Sequence, residues 1–257
     1  MKLPVLITIP HGGTSVPPEI NDHIALTPED ILKDGDAFTR EIYDLRNNAV
    51  DTIISETARA IIDVNRAPDD FPPGNPDGVL KSVTCYNKSV YLPGKTPESK
   101  TADLLLKRYY ASFHRKINNS LARNKELKLG LDCHSMAAFA PPISPDRQSP
   151  RPAICLGNRR GQSCPFPLVE KLRERLSDAF AVSKNDIRIN DPFAGGYIIG
   201  TYGNEPIPWI QIELNRNLYM TLPSKEGEKI LQDNTRIQDV NRKLNQGLQS
   251  FFRSCGL

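Results

Sequence analysis

The sequence has no long apolar run and few cysteines. No stretch approaches the roughly 20 consecutive apolar residues that a membrane-spanning helix needs. Residues 1–9 carry one basic residue and no small-residue cleavage site, so we expect no signal peptide there. The 5 cysteines are dispersed and form no CxxC pair, which argues against a disulfide framework and against a cysteine-type zinc site. We therefore expect a reduced, cytoplasmic globular protein.

Net charge and histidine are also scarce, whereas proline is abundant. The 33 lysines and arginines nearly balance the 30 acidic residues, and a formal net charge of +3 gives no reason to expect a nucleic acid or a membrane as partner. Only 4 histidines occur in 257 residues. The 22 prolines include clusters at 67–78 and 140–152. Because these clusters exclude regular helix and strand, we expect two irregular loops that form ordered walls of a small-molecule pocket.

The pattern of apolar residues predicts strands that alternate with helices. The β-branched run at 5–9 predicts the first strand. Thr27 before a proline is typical of the beginning of a helix, and apolar residues at i+4 spacing over 105–121 predict a long helix. We predict a single α/β domain over 1–257, with a mixed, mostly parallel central sheet flanked by helices. Other predicted strands lie at 52–54, 60–64, 129–133, 153–156, 197–199 and 210–214 and near residue 187, and other predicted helices at 36–47, 167–180 and 224–252.

Side chains that can bind a metal or transfer a proton lie at the ends of several of these strands. His11 follows the first strand, Asp132 and His134 end a buried strand, and Glu213 lies in a late one. In open α/β sheets, functional groups collect where the carboxyl ends of strands meet loops. The two-residue alternation of a strand places Asp132 and His134 on one face, where the carboxylate can orient the imidazole. Two histidines, a carboxylate and a glutamate that need not bind metal are the parts of a hydrolytic zinc site.

Structural interpretations of the same residue types also exist. A single histidine after a strand is more often a turn residue than a metal ligand. His114 flanks the apolar face of the long helix and is expected at its boundary, and His23 is expected to be solvated. Cys133 beside His134 suggests a cysteine nucleophile, but adjacent strand residues point to opposite faces. Cys133 is therefore expected to be a buried apolar residue.

Seven short motifs follow one another along the chain. In order they are Pro10-His11-Gly12-Gly13-Thr14, Asp34-Gly35-Asp36, Asp63-Val64-Asn65-Arg66-Ala67-Pro68-Asp69-Asp70, Asp132-Cys133-His134-Ser135-Met136, Gly157-Asn158-Arg159-Arg160-Gly161-Gln162-Ser163-Cys164, Phe193-Ala194-Gly195-Gly196-Tyr197 with Tyr202-Gly203, and Gln211-Ile212-Glu213-Leu214. This order resembles that of the N-formylglutamate amidohydrolase family, over about residues 5–220. That family is distantly similar to zinc carboxypeptidases and aspartoacylases, so the resemblance implies a zinc-carboxypeptidase-like core.

The resemblance implies a zinc cofactor and part of its ligand set. It implies that His11 and His134 bind zinc. Carboxypeptidase-like enzymes have a glutamate three residues after the first histidine, whereas this chain has Thr14 there. Asp36, in the acidic motif that follows, is our choice for the third ligand. The alternatives for that ligand are Asp34 and Asp132.

The resemblance also implies roles for a base and for several arginines. Glu213 matches the catalytic glutamate, which would act as general base. Arg59 would polarise the scissile carbonyl, and Asn65 with Arg66 would hold a substrate carboxylate, for which a planar guanidinium is suited. The alternative for Arg66 is a structural salt bridge to Asp69 or Asp70. Candidates for a second carboxylate-binding cation are Arg159, Arg160 and Arg216.

Together, the residues and the resemblance favour a zinc-dependent amidohydrolase. Its expected partner is a small acidic N-acyl amino acid, by default N-formyl-L-glutamate, which would yield formate and L-glutamate. A carboxypeptidase or a deacylase for another N-acyl amino acid is one alternative. A metal-free protein that binds small carboxylates is another, and the retained Glu213 weighs against it.

Overall fold

A six-stranded mixed sheet organises this computed structural model, which describes residues 2–45, 48–221 and 230–256. The strand order is β2-β1-β3-β6-β4-β5, and all neighbours run parallel except β4 and β6. The predicted α/β class with a mostly parallel sheet is thus confirmed. The strands are β1 (Leu3–Ile9), β2 (Ala49–Ile54), β3 (Leu129–Met136), β4 (Ile154–Gly157), β5 (Ile187–Ile189), β6 (Trp209–Asn215) and a separate antiparallel pair, β7 (Met220–Thr221) and β8 (Leu231–Gln232).

Helices cover both faces of the sheet. The first begins as predicted, because the side chains and backbone amides of Thr27 and Asp30 form a reciprocal capping box. A π-helical segment, Leu106–Tyr110, joins α3 (Ser99–Leu105) to α4 (Ala111–Arg123) in one long helix. No helix in the described part of the chain combines the length and the apolar character that crossing a membrane requires. The helices are α1 (Pro28–Asp34), α2 (Thr39–Ile42), α3 (Ser99–Leu105), α4 (Ala111–Arg123), α5 (Phe166–Phe180), α6 (Tyr197–Tyr202) and α7 (Asn234–Cys255).

Two predicted strands are wrong. The segment 60–64 forms turns with one isolated bridge, from Ile62 to Leu80, although its apolar side chains are buried in the core. The segment 197–199 is the first turn of α6, which begins after Gly196. Short apolar runs of this kind do not distinguish a strand from a buried helix or turn by periodicity alone.

Two predicted helices differ in their extent. Among the described residues 36–45, only α2 is helical, and it begins after Phe38, which adopts a left-handed φ of 62°. Residues 46–47 lie outside the described residues. The C-terminal helix begins at Asn234 and ends at Cys255, whereas 222–229 lie outside the described residues.

The alternation of side chains along the strands separates two cores. On β1, Val5, Ile7 and Ile9 pack with α5 and α7, whereas Leu6 packs on the other face with α4. Cys133 lies in the first core, away from its neighbour in sequence, as predicted, and burial raises the pKa of its thiol well above the usual range. The second face carries the polar side chains Thr8, Asp132, His134, Gln211 and Glu213 toward the ends of the strands.

A close contact between β3 and β6 gives a stability prediction. A Cβ atom added at Gly130 would lie 2.1 Å from the indole of Trp209, which is fully buried. We expect Gly130→Ala to lower the free energy of unfolding by about 1–3 kcal/mol, the usual cost of overpacking a core. Urea denaturation would measure it, with Gly74→Ala as control, because the nearest atom there is 3.5 Å away. An unchanged midpoint for Gly130→Ala would contradict this packing.

Candidate active site

A cavity of about 460 Å³ lies at the carboxyl ends of β1, β3 and β6. Pro141 and Ile143 line it from the proline-rich loop 140–152, as expected for an ordered pocket wall. The other proline-rich loop, 67–78, contributes Asp77. The cavity therefore lies where parallel strands end and loops begin, which is the usual place for ligands in open α/β sheets.

Three buried donor atoms converge at one point of the cavity wall. His134 Nδ1 lies 3.2 Å from His11 Nδ1 and 3.0 Å from Asp36 Oδ2, and His11 Nδ1 lies 3.4 Å from that oxygen. In a tetrahedral zinc site with bonds of about 2.0–2.1 Å, ligand atoms are roughly 3.3 Å apart. The spacing of these three atoms therefore suits one small divalent cation.

Two further carboxylates orient the imidazoles. His11 Nε2 lies 2.7 Å from Asp63 Oδ1, and His134 Nε2 lies 3.0 Å from Asp132 Oδ2. The hydroxyl of Thr8 donates to the second oxygen of Asp132 at 2.8 Å. A carboxylate at Nε2 holds the ring proton there, so that the lone pair of Nδ1 faces the convergence point.

The third donor, Asp36, is also held in place. Its backbone amide donates to the carbonyl of His11 at 2.9 Å, and its Oδ1 lies 3.4 Å from both Arg216 Nη2 and Ser135 Oγ. Two nitrogen lone pairs and an ionised oxygen at such distances repel one another unless a cation lies among them. This donor set fits zinc.

The alternative ligands of the sequence prediction point elsewhere. Both oxygens of Asp34 contact Lys81 Nζ, at 3.1 and 2.9 Å, and one accepts from the amide of Cys85. Asp132 contacts the outer nitrogen of His134. The structure thus brings Asp36, and neither of the other two, to the side of the histidines that faces the convergence point.

Glu213 lies beside the three donors on the neighbouring strand. It pairs in register with His134 across β6 and β3. Gln211 Nε2 donates to Glu213 Oε1 at 2.8 Å, and the amide of Gly196 in turn donates to Gln211 Oε1 at 2.8 Å. Burial raises the pKa of Glu213 to about 7. A carboxyl group with such a pKa can both accept and return a proton near neutral pH.

Comparison with known proteins identifies the family of this chain. A model of the N-formylglutamate amidohydrolase family matches residues 3–220. The chain belongs to this family. The family is one of amide-hydrolysing enzymes, as the sequence analysis predicted. Proteins named N-formylglutamate deformylase from Pseudomonas putida and Pseudomonas aeruginosa are each 27% identical over 227 residues, covering 85% of this chain and 82% and 83% of their own.

A solved structure shows the same fold. The N-formylglutamate amidohydrolase from Ralstonia eutropha superposes with a TM-score of 0.80 over 100% of this chain and 96% of its own, at 22% identity. A protein from Agrobacterium tumefaciens superposes with a TM-score of 0.66 over 99% of this chain and 91% of its own, at 15% identity. The fold of this member of the N-formylglutamate amidohydrolase family is therefore shared by proteins of low sequence identity.

In this amidohydrolase, Arg59 lines the cavity within a group of acids. Its Nε donates to Asp63 Oδ2 at 3.0 Å, and its Nη1 donates to the carbonyl oxygen of Asp34 at 3.1 Å. Its Nη2 lies 3.7 Å from Asp77 Oδ2. Burial would lower the pKa of Arg59, but these carboxylates raise it well above the usual range. A permanently charged guanidinium thus faces the cavity in a fixed orientation.

Asn65 and Arg66 also line the cavity, but the side chain of Asn65 is more tightly held than that of Arg66. The amide of Asn65 is used at both ends, because Nδ2 donates to Asp132 Oδ2 at 3.2 Å and Oδ1 accepts from the amide of Ile198 at 2.7 Å. Arg66 is 37% exposed and donates from Nη2 to Asp77 Oδ2 at 2.7 Å. A structural salt bridge to Asp69 or Asp70 was the alternative for Arg66 in the sequence analysis, whereas the acids that Arg66 contacts are Asp77 and, with Nε 3.7 Å from Oδ2, Asp63.

The arginine pair Arg159 and Arg160 lies outside the residues that line the cavity. β4 runs antiparallel to β6, with Gly157 opposite Gln211, so the chain leaves β4 away from the end that carries Glu213. Arg160 is exposed. That this pair supplies the second cation stays a prediction.

Other cations line the cavity instead. Arg216 does so, as the sequence analysis allowed, and its guanidinium donates to Ser135 Oγ and to the carbonyl of Lys33. Sequence reasoning missed Arg151, which lines the cavity, pairs with Asp146 and lies 4.8 Å from the ring centroid of Phe193. No sequence motif marks Arg151, because it reaches the cavity only through the path of its loop.

The two remaining histidines are outside the donor group. His114 is half-buried, and its ring nitrogens lie 2.9 Å from Tyr202 Oη and 2.9 Å from the carbonyl of Val64. It holds the long helix against the segment before Asn65, which confirms its place at the helix boundary. His23 is also half-buried rather than fully solvated.

Proposed function

We propose that this chain is a zinc-dependent amidohydrolase that cleaves N-formyl-L-glutamate to formate and L-glutamate. The observation that carries the proposal is the convergence of His11 Nδ1, His134 Nδ1 and Asp36 Oδ2 beside a buried glutamate. The names of the two Pseudomonas relatives support the choice of substrate. When bound by these three residues, zinc would act as a Lewis acid toward the carbonyl and would acidify water.

Glu213 is placed to move the protons of the reaction. Hydrolysis adds one water across the amide bond, so a proton that leaves the attacking water must reach the departing nitrogen. Glu213 accepts the first proton at its carboxylate and returns it to the nitrogen of glutamate as the C–N bond breaks. The hydrogen bond from Gln211 Nε2 holds the carboxyl group in one orientation during both transfers.

The arginines bind and stabilise charge. Attack on the formyl carbon places negative charge on its oxygen, and Arg59 supplies a fixed positive group on the cavity wall for it. Arg66, more exposed than Arg59, binds a carboxylate of the substrate through its planar guanidinium. Asn65 Nδ2 donates to Asp132 Oδ2 and so holds the carboxylate that orients His134.

A metal and activity assay tests the proposal. We expect purified protein to bind about one zinc ion per chain, to hydrolyse N-formyl-L-glutamate, and to lose activity with a chelator because the three donor side chains then hold no cation. Added zinc should restore the activity. Elemental analysis and release of formate would measure both. Full hydrolysis by protein shown to be free of metal would contradict the zinc dependence.

A substrate panel separates the acyl-group alternatives. N-formyl, N-acetyl and N-succinyl derivatives of glutamate differ in the size of the group beside the proposed metal position. A hydrophobic pocket discriminates by about 1–3 kcal/mol per methylene, so we expect N-formyl-L-glutamate to have the highest kcat/KM. A higher kcat/KM for a larger acyl group would favour a deacylase. Tight binding of L-glutamate without any hydrolysis would favour a carboxylate-binding protein.

A further inference from the structure

A cluster of six charged side chains forms one wall of the cavity. Each acid contacts at least two cations, and the formal charges of the cluster cancel. The acid Asp77, for example, lies 2.5 Å from Lys81 through Oδ1 and 2.7 Å from Arg66 through Oδ2. This cluster consists of the cations Arg59, Arg66 and Lys81 and the acids Asp34, Asp63 and Asp77.

Lys81 differs from the other members of this six-charge cluster. It is fully buried, and it is the one member that does not line the cavity. Its ammonium group contacts both oxygens of Asp34 and one oxygen of Asp77. Lys81 therefore has no direct access to a substrate. What it supplies is a positive charge behind two acids that do line the cavity.

Arg66 and Asp77 are the members most open to the cavity, with side chains 37% and 18% exposed. Arg66 Nη2 donates to Asp77 Oδ2 at 2.7 Å, on the side of Arg66 that is open to the cavity. A carboxylate that binds Arg66 must compete with Asp77 for it. An aspartate left without a partner in such a place would repel the incoming anion and would lose its own stabilisation.

We propose that Lys81 is a positioning residue that acts as a second counter-ion for Asp77, so that Asp77 can release Arg66 to a substrate carboxylate. When the carboxylate binds Arg66, Asp77 retains its contact with Lys81 through the other oxygen. The ion pair is exchanged, and no buried acid is left unpaired. The inference rests on the proposed function for the identity of the carboxylate, which is that of a glutamate derivative.

Two single substitutions should change anion affinity in opposite directions. Lys81→Met removes the nearer of the two other cations of Asp77 and leaves only Arg59 Nη2, 3.7 Å away. Asp77 should then hold Arg66 more strongly, and the Kd for L-glutamate should rise about tenfold. Asp77→Asn removes the competitor, so the Kd should fall, by about three- to tenfold. We expect KM for N-formyl-L-glutamate to follow the same directions, with a smaller effect on kcat. Isothermal titration of the zinc-loaded protein with L-glutamate would measure the affinities.

Control variants separate this role from a purely structural one. Lys88→Met removes one charge from an exposed lysine that pairs with Asp30, and it should leave the Kd for L-glutamate unchanged. The double variant Lys81→Met/Asp77→Asn restores neutrality, and its Kd should return to within about threefold of the wild-type value. If Lys81→Met does not fold, because its acids are left unpaired, Asp77→Asn and the double variant still decide.

The outcomes distinguish this inference from the proposed function. Weaker L-glutamate binding in both single variants would show a structural role alone and would overturn the inference, as would an unchanged Kd in Asp77→Asn. Failure of the wild type to hydrolyse N-formyl-L-glutamate, together with opposite shifts in Kd, would overturn the proposed function and leave the counter-ion role standing. Hydrolysis of N-formyl-L-glutamate by the wild type, without opposite shifts in Kd, would support the proposed function and overturn the counter-ion role.

Discussion

Replacing Glu213 with glutamine is expected to lower kcat for N-formyl-L-glutamate by about 10²–10⁴-fold, the usual contribution of a general base. Glutamine preserves the size of the side chain but cannot accept the proton of the attacking water. Glu213 is buried, lies beside His134 on the next strand and accepts a hydrogen bond from Gln211. Among the described residues at the strand ends, no other carboxylate has this position, so none can take over as general base. Initial rates of formate release at saturating substrate would measure the effect.

The same variant should keep its other properties. Because Glu213 lies outside the three-donor group, we expect Glu213→Gln to retain its zinc content and its Kd for L-glutamate. The pH profile is a further readout. Burial raises the pKa of Glu213 to about 7, and the base must be ionised, so kcat/KM of the wild type should rise with pH through neutrality. A variant with the wild-type rate would exclude Glu213 as the base.

Substitution of Asp36 is expected to have the largest effect on metal binding. Asp36→Ala removes one of three converging donor atoms, and we expect zinc affinity to fall by more than the roughly 10–100-fold that loss of an outer hydrogen-bond partner costs. Asp132→Asn removes such an outer partner of His134 and should fall within that range. Competition with a fluorescent zinc chelator would measure the three affinities.

Asp34→Asn is the matched control for this pair. Asp34 belongs to the same acidic motif as Asp36, but its oxygens face Lys81 and the amide of Cys85. Because Asp34 contacts none of the three donor atoms, we expect the zinc affinity of folded Asp34→Asn to stay within about threefold of the wild-type value, since mutations outside a network usually do not couple to it. A loss of zinc in Asp34→Asn equal to that in Asp36→Ala would contradict the proposed ligand set.

The sequence predicts the frame of the molecule better than the details of its irregular segments. Strands β1, β3 and β6 lie where apolar periodicity placed them, because each is a buried run ending in polar residues. The residues at 60–64 and 197–199 have the same composition as strands but find no neighbouring strand to pair with. Pairing partners are set by the whole fold, and local composition does not contain them.

The direction of β4 explains why Arg159 and Arg160 do not line the cavity. Proximity to a strand end marks a functional position only if the strand runs in the same direction as those that carry the site. β4 pairs antiparallel with β6, which reverses that rule for the residues after Gly157. Nothing in the sequence of such a short strand distinguishes the two directions. Asp77 and Lys81 were missed for a related reason, since the path of an irregular loop brings Asp77 to both Arg66 and Lys81.

The alternation of side chains along β3 and β6 has a consequence for the design of more stable variants. The side chains of Leu131, Cys133, Ile210, Ile212 and Leu214 all belong to the core formed with α5 and α7, on the face opposite the histidines and Glu213. Volume-conserving substitutions at these positions alter packing and leave the reacting face chemically unchanged. Directed evolution for heat tolerance can therefore be confined to one set of alternate positions, with catalysis selected independently on the other.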